Sequence, residues 1–379
     1  MPFAAALSEH PVAAEAVGEV LGTILERGGV EPDLVVVFAS SAHVEFLGEI
    51  STAIRALLRP RTLVGASASA VVGGSREVEE VPALSVFAAW ADSVPEPMHG
   101  VRLTVGADDQ AVDGLPDAMP DGATLLVLAD AHTFPGEVFV DHLAAERPDV
   151  AIVGGLTSAQ GGAASALVLD GVVHRDGAVG VVIPRDLLVG PVVSQGCRPI
   201  GDVMAVTAVD RHFVLELAGR PALERLVELT KSLPPEEQAL VAGGLQLGIV
   251  IDETKEDLDH GDFLVRSILG GDRARGVLAI GTELPVGATV QFHVRDAAAA
   301  HVDLQALLSD VQGDGALLFT CNGRGRALFG TDDHDAATVV DLVGTDAVAG
   351  MFCAGEVGPV GGRSFLHAFT ASVLVFTDA

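Results

Sequence analysis

The sequence predicts an α/β fold of mixed β-sheets with flanking helices, built from internally repeated strand–helix–strand–strand units and arranged as two intimately associated domains. Three observations predict it. Short valine- and leucine-rich runs alternate with stretches of helical period, the pattern of strands buried on both faces beneath covering helices. The same order of elements recurs three times along the chain, the mark of a repeated structural unit. Each pass also contains a strand that ends in glycine and a small or polar residue.

In the first pass, residues 33–40 (DLVVVFAS) read as a strand. Residues 45–58 place Phe46, Leu47, Ile50, Ile54, Leu57 and Leu58 at helical spacing, and Arg59-Pro60 stops the helix. Residues 61–67 and 83–89 are two further strands. The second pass runs through strand 123–129 (ATLLVLA), helix 137–145, and strands 149–155, 164–169 and 178–183. The third runs through strand 315–321 (GALLFTC), helix 335–343, and strands 347–352 and 369–376. The glycine signature is Leu63-Val64-Gly65-Ala66-Ser67-Ala68 leading to Gly73-Gly74, and Ile152-Val153-Gly154-Gly155-Leu156-Thr157-Ser158 leading to Gly161-Gly162. Its fullest form is 352–362, expected as a strand end that passes at once into a glycine-rich loop.

Residues 196–296 are built differently. A hairpin is expected from 202–209 and 212–217, followed by an amphipathic helix over 221–230 with proline at its favoured first position. Short strands follow at 248–251, 263–269, 276–280 and 288–294. The acidic stretch 252–262 lacks the glycine placement and closing glutamate of a calcium loop and reads as a solvated hairpin tip.

Composition narrows the function classes. The chain has 379 residues, 49% of them hydrophobic, enough for a large core. Its net charge is −30 and its only lysines are Lys231 and Lys255, so it is repelled by phosphate backbones and anionic lipid, which argues against nucleic-acid partners. No apolar run approaches the roughly 18 residues of a membrane helix, so no membrane insertion is expected. The N-terminus lacks the basic region of a signal peptide, and three cysteines make no disulfide framework; a cytoplasmic location is expected. Walker-type phosphate loops and H-x-x-x-H or C-x-x-C pairs are missing from the sequence, so neither a cofactor nor a metal is expected.

Several clusters are candidates for a ligand site. Cys321-Asn322-Gly323-Arg324-Gly325 puts backbone N–H groups and a guanidinium at one strand end, which suits a carboxylate or phosphate; the bland reading is a tight turn. Cys353, Gly355 and Glu356 stand at the next strand end. Cys353 with His367 and Glu356 could form a thiol-dependent catalytic group, set against the commoner role of a buried cysteine as a small hydrophobe. Ser67 and Ser69 resemble a nucleophile elbow but lack its second glycine and its following helix, which leaves them as hydrogen-bonding groups. Arg76-Glu77-Val78-Glu79-Glu80 reads as a solvated turn, with Arg76 and Glu77 able to form an ion pair. Arg266 lies inside an apolar strand and needs a carboxylate or an acidic ligand, and Arg295-Asp296 reads as a structural pair. Asp332-Asp333-His334-Asp335 reads as a helix N-cap with acidic first-turn residues.

The ordered segments 33–40, 63–89, SQGCRPIG (194–201), GRPALERL (219–226), GDFLVRSILGGD (261–272), VQFHVRDA (290–297), LFTCNGRG (318–325) and 352–376 together resemble the FIST family, over nearly the whole chain after residue 30. The resemblance implies an N-terminal FIST domain over 31–217 and a C-terminal one over 218–379, preceded by an N-terminal segment, 1–30. It further implies a sensory, ligand-binding module of signal transduction whose ligand is an amino acid or a similar small polar or anionic molecule. No F-box accompanies the segments, and no attached signalling output either, so a separate signalling protein is the expected partner. A thiol-dependent enzyme, and an interaction scaffold that assembles as a homo-oligomer, are the alternative readings.

Overall fold

The structure is a computed structural model that describes residues 2–91, 98–106, 112–116, 119–158, 165–255 and 257–378. Contacts divide the chain into two compact units. One comprises Met1–Ser194, Leu304–Leu366 and Thr370–Ala379; the other comprises Gln195–Asp303 with His367–Phe369.

The larger unit is a threefold repeat. The first repeat runs β1 (Phe3–Ser8), α1 (Ala13–Arg27), β2 (Leu34–Ser40), α2 (Leu47–Leu57), β3 (Thr62–Ala68), the hairpin β4 (Val71–Gly73) and β5 (Arg76–Val78), then β6 (Leu84–Ala89). The second runs β7 (His99–Val105), β8 (Val112–Asp113), β9 (Thr124–Ala129), α3 (Gly136–Glu146), β10 (Ala151–Leu156), the hairpin β11 (Leu167–Leu169) and β12 (Val172–His174), then β13 (Ala178–Ile183). The third opens with β14 (Leu188–Gln195) and is interrupted by the smaller unit.

That inserted unit holds β15 (Cys197–Asp210), β16 (Phe213–Leu217), β17 (Arg220–Pro221), α4 (Ala222–Ser232), α5 (Pro235–Gly243), β18 (Leu245–Val250), β19 (Phe263–Asp272), β20 (Val277–Ile280) and β21 (Thr289–Arg295). The third repeat resumes through α6 (Ala297–Leu308), β22 (Gly315–Cys321), the short α7 (Gly325–Phe329), α8 (His334–Val343), β23 (Val348–Cys353), the hairpin β24 (Gly355–Val360) and β25 (Arg363–His367), and β26 (Thr370–Phe376).

In each repeat the two strands that flank a helix pair in parallel, β2 with β3, β9 with β10 and β22 with β23. The closing strand returns antiparallel beside the first of them. The hairpin leaves its own repeat. β11 adds to β3 of the first sheet, β24 adds to β10 of the second, and β4 adds to β23 of the third. The exchange is cyclic, so each sheet is completed by a strand from another repeat.

This corrects the expected loop after Cys353. Residues Gly355–Val360 are a strand, with Gly155 opposite Glu356 and Leu156 opposite Gly355. The glycines let the two chains approach, since a Cβ on Gly155 would collide with the Cys353 sulfur. The expected strand at 164–169 is shorter, at Leu167–Leu169, and Gly161-Gly162 lie outside the described residues. The N-terminal segment, 1–30, supplies β1 and α1.

Alternation within the strands explains their continuous apolarity. Leu34, Val36 and Phe38 of β2 face a core shared by all three sheets, where Phe38 meets Phe319 edge-on at 6.0 Å and Phe3, Phe87 and Phe376 form a second cluster. Val35, Val37 and Ala39 face outward into a layer closed by α1 and α2. α3 closes the second sheet in the same way, and α6 with α8 the third. With both faces of each sheet covered, the strands need no polar side. Among the described residues no helix is long and apolar enough to cross a membrane.

The smaller unit is an antiparallel barrel. Its strands follow the order β15-β21-β18-β19-β20-β16, and β16 pairs back onto β15 to close the ring. β15 and β19 turn the corners at register shifts after Ile200 and Ile268. The interior holds Ile200, Leu247, Leu278, Val290 and Phe292, with α4 and α5 packed against it. The differently composed stretch 196–296 thus corresponds closely to this unit. Asp296 pairs with Arg198 at 2.6 Å rather than with its neighbour Arg295, whose guanidinium lies 5.3 Å from the Phe369 ring.

One glycine recurs at the same place in all three repeats. A Cβ on Gly65, Gly154 or Gly350 would collide with the carbonyl oxygen of Val37, Val127 or Leu318 in the parallel neighbour. Gly350→Ala should therefore cost about 2–3 kcal/mol in urea unfolding. Gly22→Ala, on the open face of α1 where an added Cβ meets nothing, should gain about 0.5–1 kcal/mol.

Candidate functional site

The equivalence of Gly65, Gly154 and Gly350 aligns LVGASAS, IVGGLTS and VAGMFCA, and so places Ser69, Ser158 and Ala354 at one position of the repeat. These residues follow the carboxyl ends of the parallel strands, where ligands bind in open α/β sheets. The three ends meet. The Ser69 N–H donates to Ser158 Oγ at 3.0 Å, the two hydroxyls lie 3.1 Å apart, and Ser69 Oγ donates to Asn322 Oδ1 at 2.7 Å. Ser158 Oγ donates in turn to the carbonyl of Phe352. Asn322 is exposed, Ser69 half-buried and Ser158 buried, so the network forms a polar rim that reaches solvent. Ser158 stands in the repeated glycine signature but not among the candidate ligand residues, although its spacing of four residues from the glycine matches that of Ser69.

The turn carrying Asn322 leads into a wholly buried charge cluster. Arg324 is fully enclosed and bidentate on Asp335, Nε to Oδ2 at 2.7 Å and Nη2 to Oδ1 at 2.9 Å. Thr320 Oγ1 donates to the same carboxylate at 2.8 Å, and His334 Nδ1 lies 3.0 Å from it. Burial would raise the Asp335 carboxyl, but the adjacent Arg324 charge holds it well below the usual carboxylate range. Arg324 therefore does not present its fork outward. The backbone of its turn is committed too: Asn322 N–H donates to the Cys353 carbonyl, Gly323 N–H to Cys321 Sγ and Arg324 N–H to the Cys321 carbonyl. Gly325, with φ of 56°, starts α7 where a Cβ would meet Glu79 and Phe352.

The acidic residues also depart from expectation. Asp335 is a buried ion-pair partner rather than a solvated first-turn residue. Asp333 takes the N-cap position in a left-handed conformation with no side-chain capping bond. The capping role falls to Glu77, whose Oε1 accepts from the Asp335 and Ala336 N–H groups at 2.9 and 3.0 Å. The turn at 76–80 is thus a docking element: Glu77 is buried, and Arg76 pairs with Glu9 and Asp333 rather than with Glu77. Burial, with the nearby Asp335 charge, pushes Glu77 up to about 8.

Glu356 is fully buried on β24. Its Oε2 accepts from the Thr370 N–H and hydroxyl at 3.1 and 2.9 Å, and burial outweighs these bonds, pushing the carboxyl up to about 8. Cys353 is also fully buried; burial first, and the neighbouring Glu356 second, push its thiol well above the ordinary range, so it stays un-ionised. Ser67 is structural: its Oγ accepts from the Ala166 N–H and its own N–H donates to the Ala166 carbonyl, pinning β11 to β3. Arg266 and His367 fall in the smaller unit, where Arg266 Nη1 donates to the Val265 carbonyl at 3.2 Å. The strand-end position of Cys321 is held by Asp130 in the second repeat. Asp130 is buried, its Oδ1 accepts from the Thr133 N–H and hydroxyl at 2.8 and 2.7 Å, and it had drawn no notice in the sequence.

Comparison with known proteins agrees with this architecture. Residues 33–220 match the FIST N domain and residues 222–359 the FIST C domain. The chain belongs to the FIST family. Domains of this family generally serve as sensory, ligand-binding modules of signal transduction. Among relatives, the chain is 42% identical over 366 residues to "Uncharacterized protein Rv0628c" of Mycobacterium tuberculosis, covering 93% of each chain. It is also 42% identical over 363 residues to "Uncharacterized protein Mb0898c" of Mycobacterium bovis, covering 93% of this chain and 92% of the relative.

Two measurements test the buried cluster. Arg324→Ala should destabilise the fold by about 3–5 kcal/mol, because Asp335 is left as an uncompensated buried charge, and the Arg324→Met/Asp335→Leu double variant should recover most of that loss. The second concerns pH. Glu356 ionises near 4.5 when unfolded and near about 8 when folded, so between these values the folded chain holds the extra proton. Stability should fall as pH rises through that window, by about 1.4 kcal/mol per unit for each such group, and level off above about 8. Glu77 adds to the same slope. Urea melts from pH 5 to 8 should show a shallower fall for Glu356→Gln.

Proposed function

We propose that this FIST protein is a non-catalytic cytoplasmic sensor that binds an amino acid or similar small polar, anionic ligand at the rim formed by Ser69, Ser158 and Asn322, and reports its occupancy to a separate signalling protein. The observation that carries this reading is the meeting of the three repeats' strand ends in a hydrogen-bonding network that reaches solvent. The rim offers the Asn322 amide N–H groups as neutral donors, beside two serine hydroxyls whose protons are engaged within the network, which suits a carboxylate in a chain of strong negative charge. The burial and raised thiol of Cys353 weigh against a thiol-dependent reaction. Three buried cysteines, none of them in a disulfide, support a reducing compartment.

A ligand that binds only the folded state raises its melting point by mass action, with about 2.7 kcal/mol of stabilisation at a concentration one hundred times the Kd. A thermal-shift screen of the amino acids and small carboxylates should therefore return at least one saturable hit. Asn322→Ala, an exposed change that leaves the melting point of the free protein in place, should weaken that hit about tenfold. Full affinity in Asn322→Ala would move the site elsewhere.

A further inference from the structure

In the barrel unit, α4 lies against the strands with an unusually open seat. Only Ala222 of its 11 residues is buried. Leu223, Leu226, Leu229 and Leu233 are half-buried, as are Leu240 and Val241 of α5 and Leu245 and Ile268 of the sheet. The reason is a groove of about 480 Å³ between α4, α5, β19 and β20, within the range of small-molecule sites, which favour the mouths of β-barrels. Its wall is almost wholly apolar: Leu226, Val227, Val241, Ile268 and Leu278, with Gly270 and Gly271 leaving the sheet side bare. The groove reaches the barrel interior at Leu278, which is buried.

Lys231 also lines this groove. It is one of two lysines in a chain of net charge −30. Glu224 and Glu228 of α4 both pair with Arg220, and Lys231 acts on Glu228 through its charge without forming an ion pair of its own with it. An apolar trough with one ammonium in its lining matches a hydrocarbon chain that carries one anionic head.

We propose that this groove is a binding site for a medium-chain carboxylate, its chain along Leu226, Val241 and Leu278 and its head on Lys231. The site is separate from the Ser69–Asn322 rim and does not depend on it. Each side of the groove has a position that can be filled. Val227 is 41% exposed, so Val227→Trp closes the trough without touching the core. Lys231→Gln removes the charge alone.

The test is calorimetric titration of the full-length chain with decanoate below its micelle concentration, with decanol as chain without charge and acetate as charge without chain. Decanoate should bind saturably at one site and acetate should not bind. Val227→Trp, with its circular dichroism unchanged, should weaken decanoate at least tenfold, and Lys231→Gln should weaken it about threefold while leaving decanol as it was. Asn322→Ala should leave decanoate binding intact, which separates this site from the rim. Absence of saturable decanoate binding overturns the proposal, as does binding that ignores Val227→Trp. Equal affinity for decanol and decanoate overturns the role of Lys231. A concentration-dependent dimer that Val227→Trp breaks, seen by light scattering without decanoate binding, would assign the groove to a second copy of the chain instead.

Discussion

The cyclic exchange of hairpins is the constraint on which the larger unit depends. A parallel pair with one returning strand leaves an open edge, and an open edge in an apolar sheet is a template for unwanted pairing. Here β4–β5, β11–β12 and β24–β25 cover those edges, each in a sheet other than that of its own repeat. Because the exchange closes after three steps, the inner faces of all three sheets are brought around one core and no repeat can complete its sheet alone. The outer faces then need only local helices. The barrel enters between β14 and α6, where the first repeat passes straight from strand to helix, so the insertion leaves the ring of sheets uninterrupted.

The same exchange builds the candidate site. Parallel strands direct their carboxyl ends one way, and the threefold arrangement makes Ser69, Ser158 and the turn at Asn322 neighbours despite a separation of 253 residues between the outermost pair. Buried charge holds that turn in place. Glu77, from the hairpin of the first repeat, caps α8 of the third, and α8 presents Asp335 to Arg324. The polar groups that looked most reactive in the sequence are thus mostly structural supports. Ser69 and Asn322, which form the solvent-reaching rim, are neutral.

Much of this was legible in advance. Valine-rich runs and helical spacing located the parallel strands and their helices to within a few residues, because strands buried on both faces and helices with one apolar face leave strong patterns. The inserted barrel showed as a change of texture between 196 and 296. Three things were hidden. The stretch after Cys353 looked like a loop because its glycines and proline are poor strand formers, yet it pairs with β10. Glu77 looked solvated because nothing local indicates that α8 will dock on it. Arg324 looked like a ligand fork because its partner Asp335 lies on a helix read as solvent-facing at that end.

By itself the sequence determined the repeat, the α/β class, the family and the segments that form strands and helices, since each follows from periodicity or from residues near in the chain. Only the tertiary structure decided which sheet each hairpin joins, which carboxylate meets which guanidinium, and that Ser69 and Asn322, backed by Ser158, rather than Cys353 form the solvent rim. The physical reason is that these are pairings between residues far apart in sequence. Local pattern records how a segment must be buried, but the identity of what buries it is settled when the three repeats close on one another.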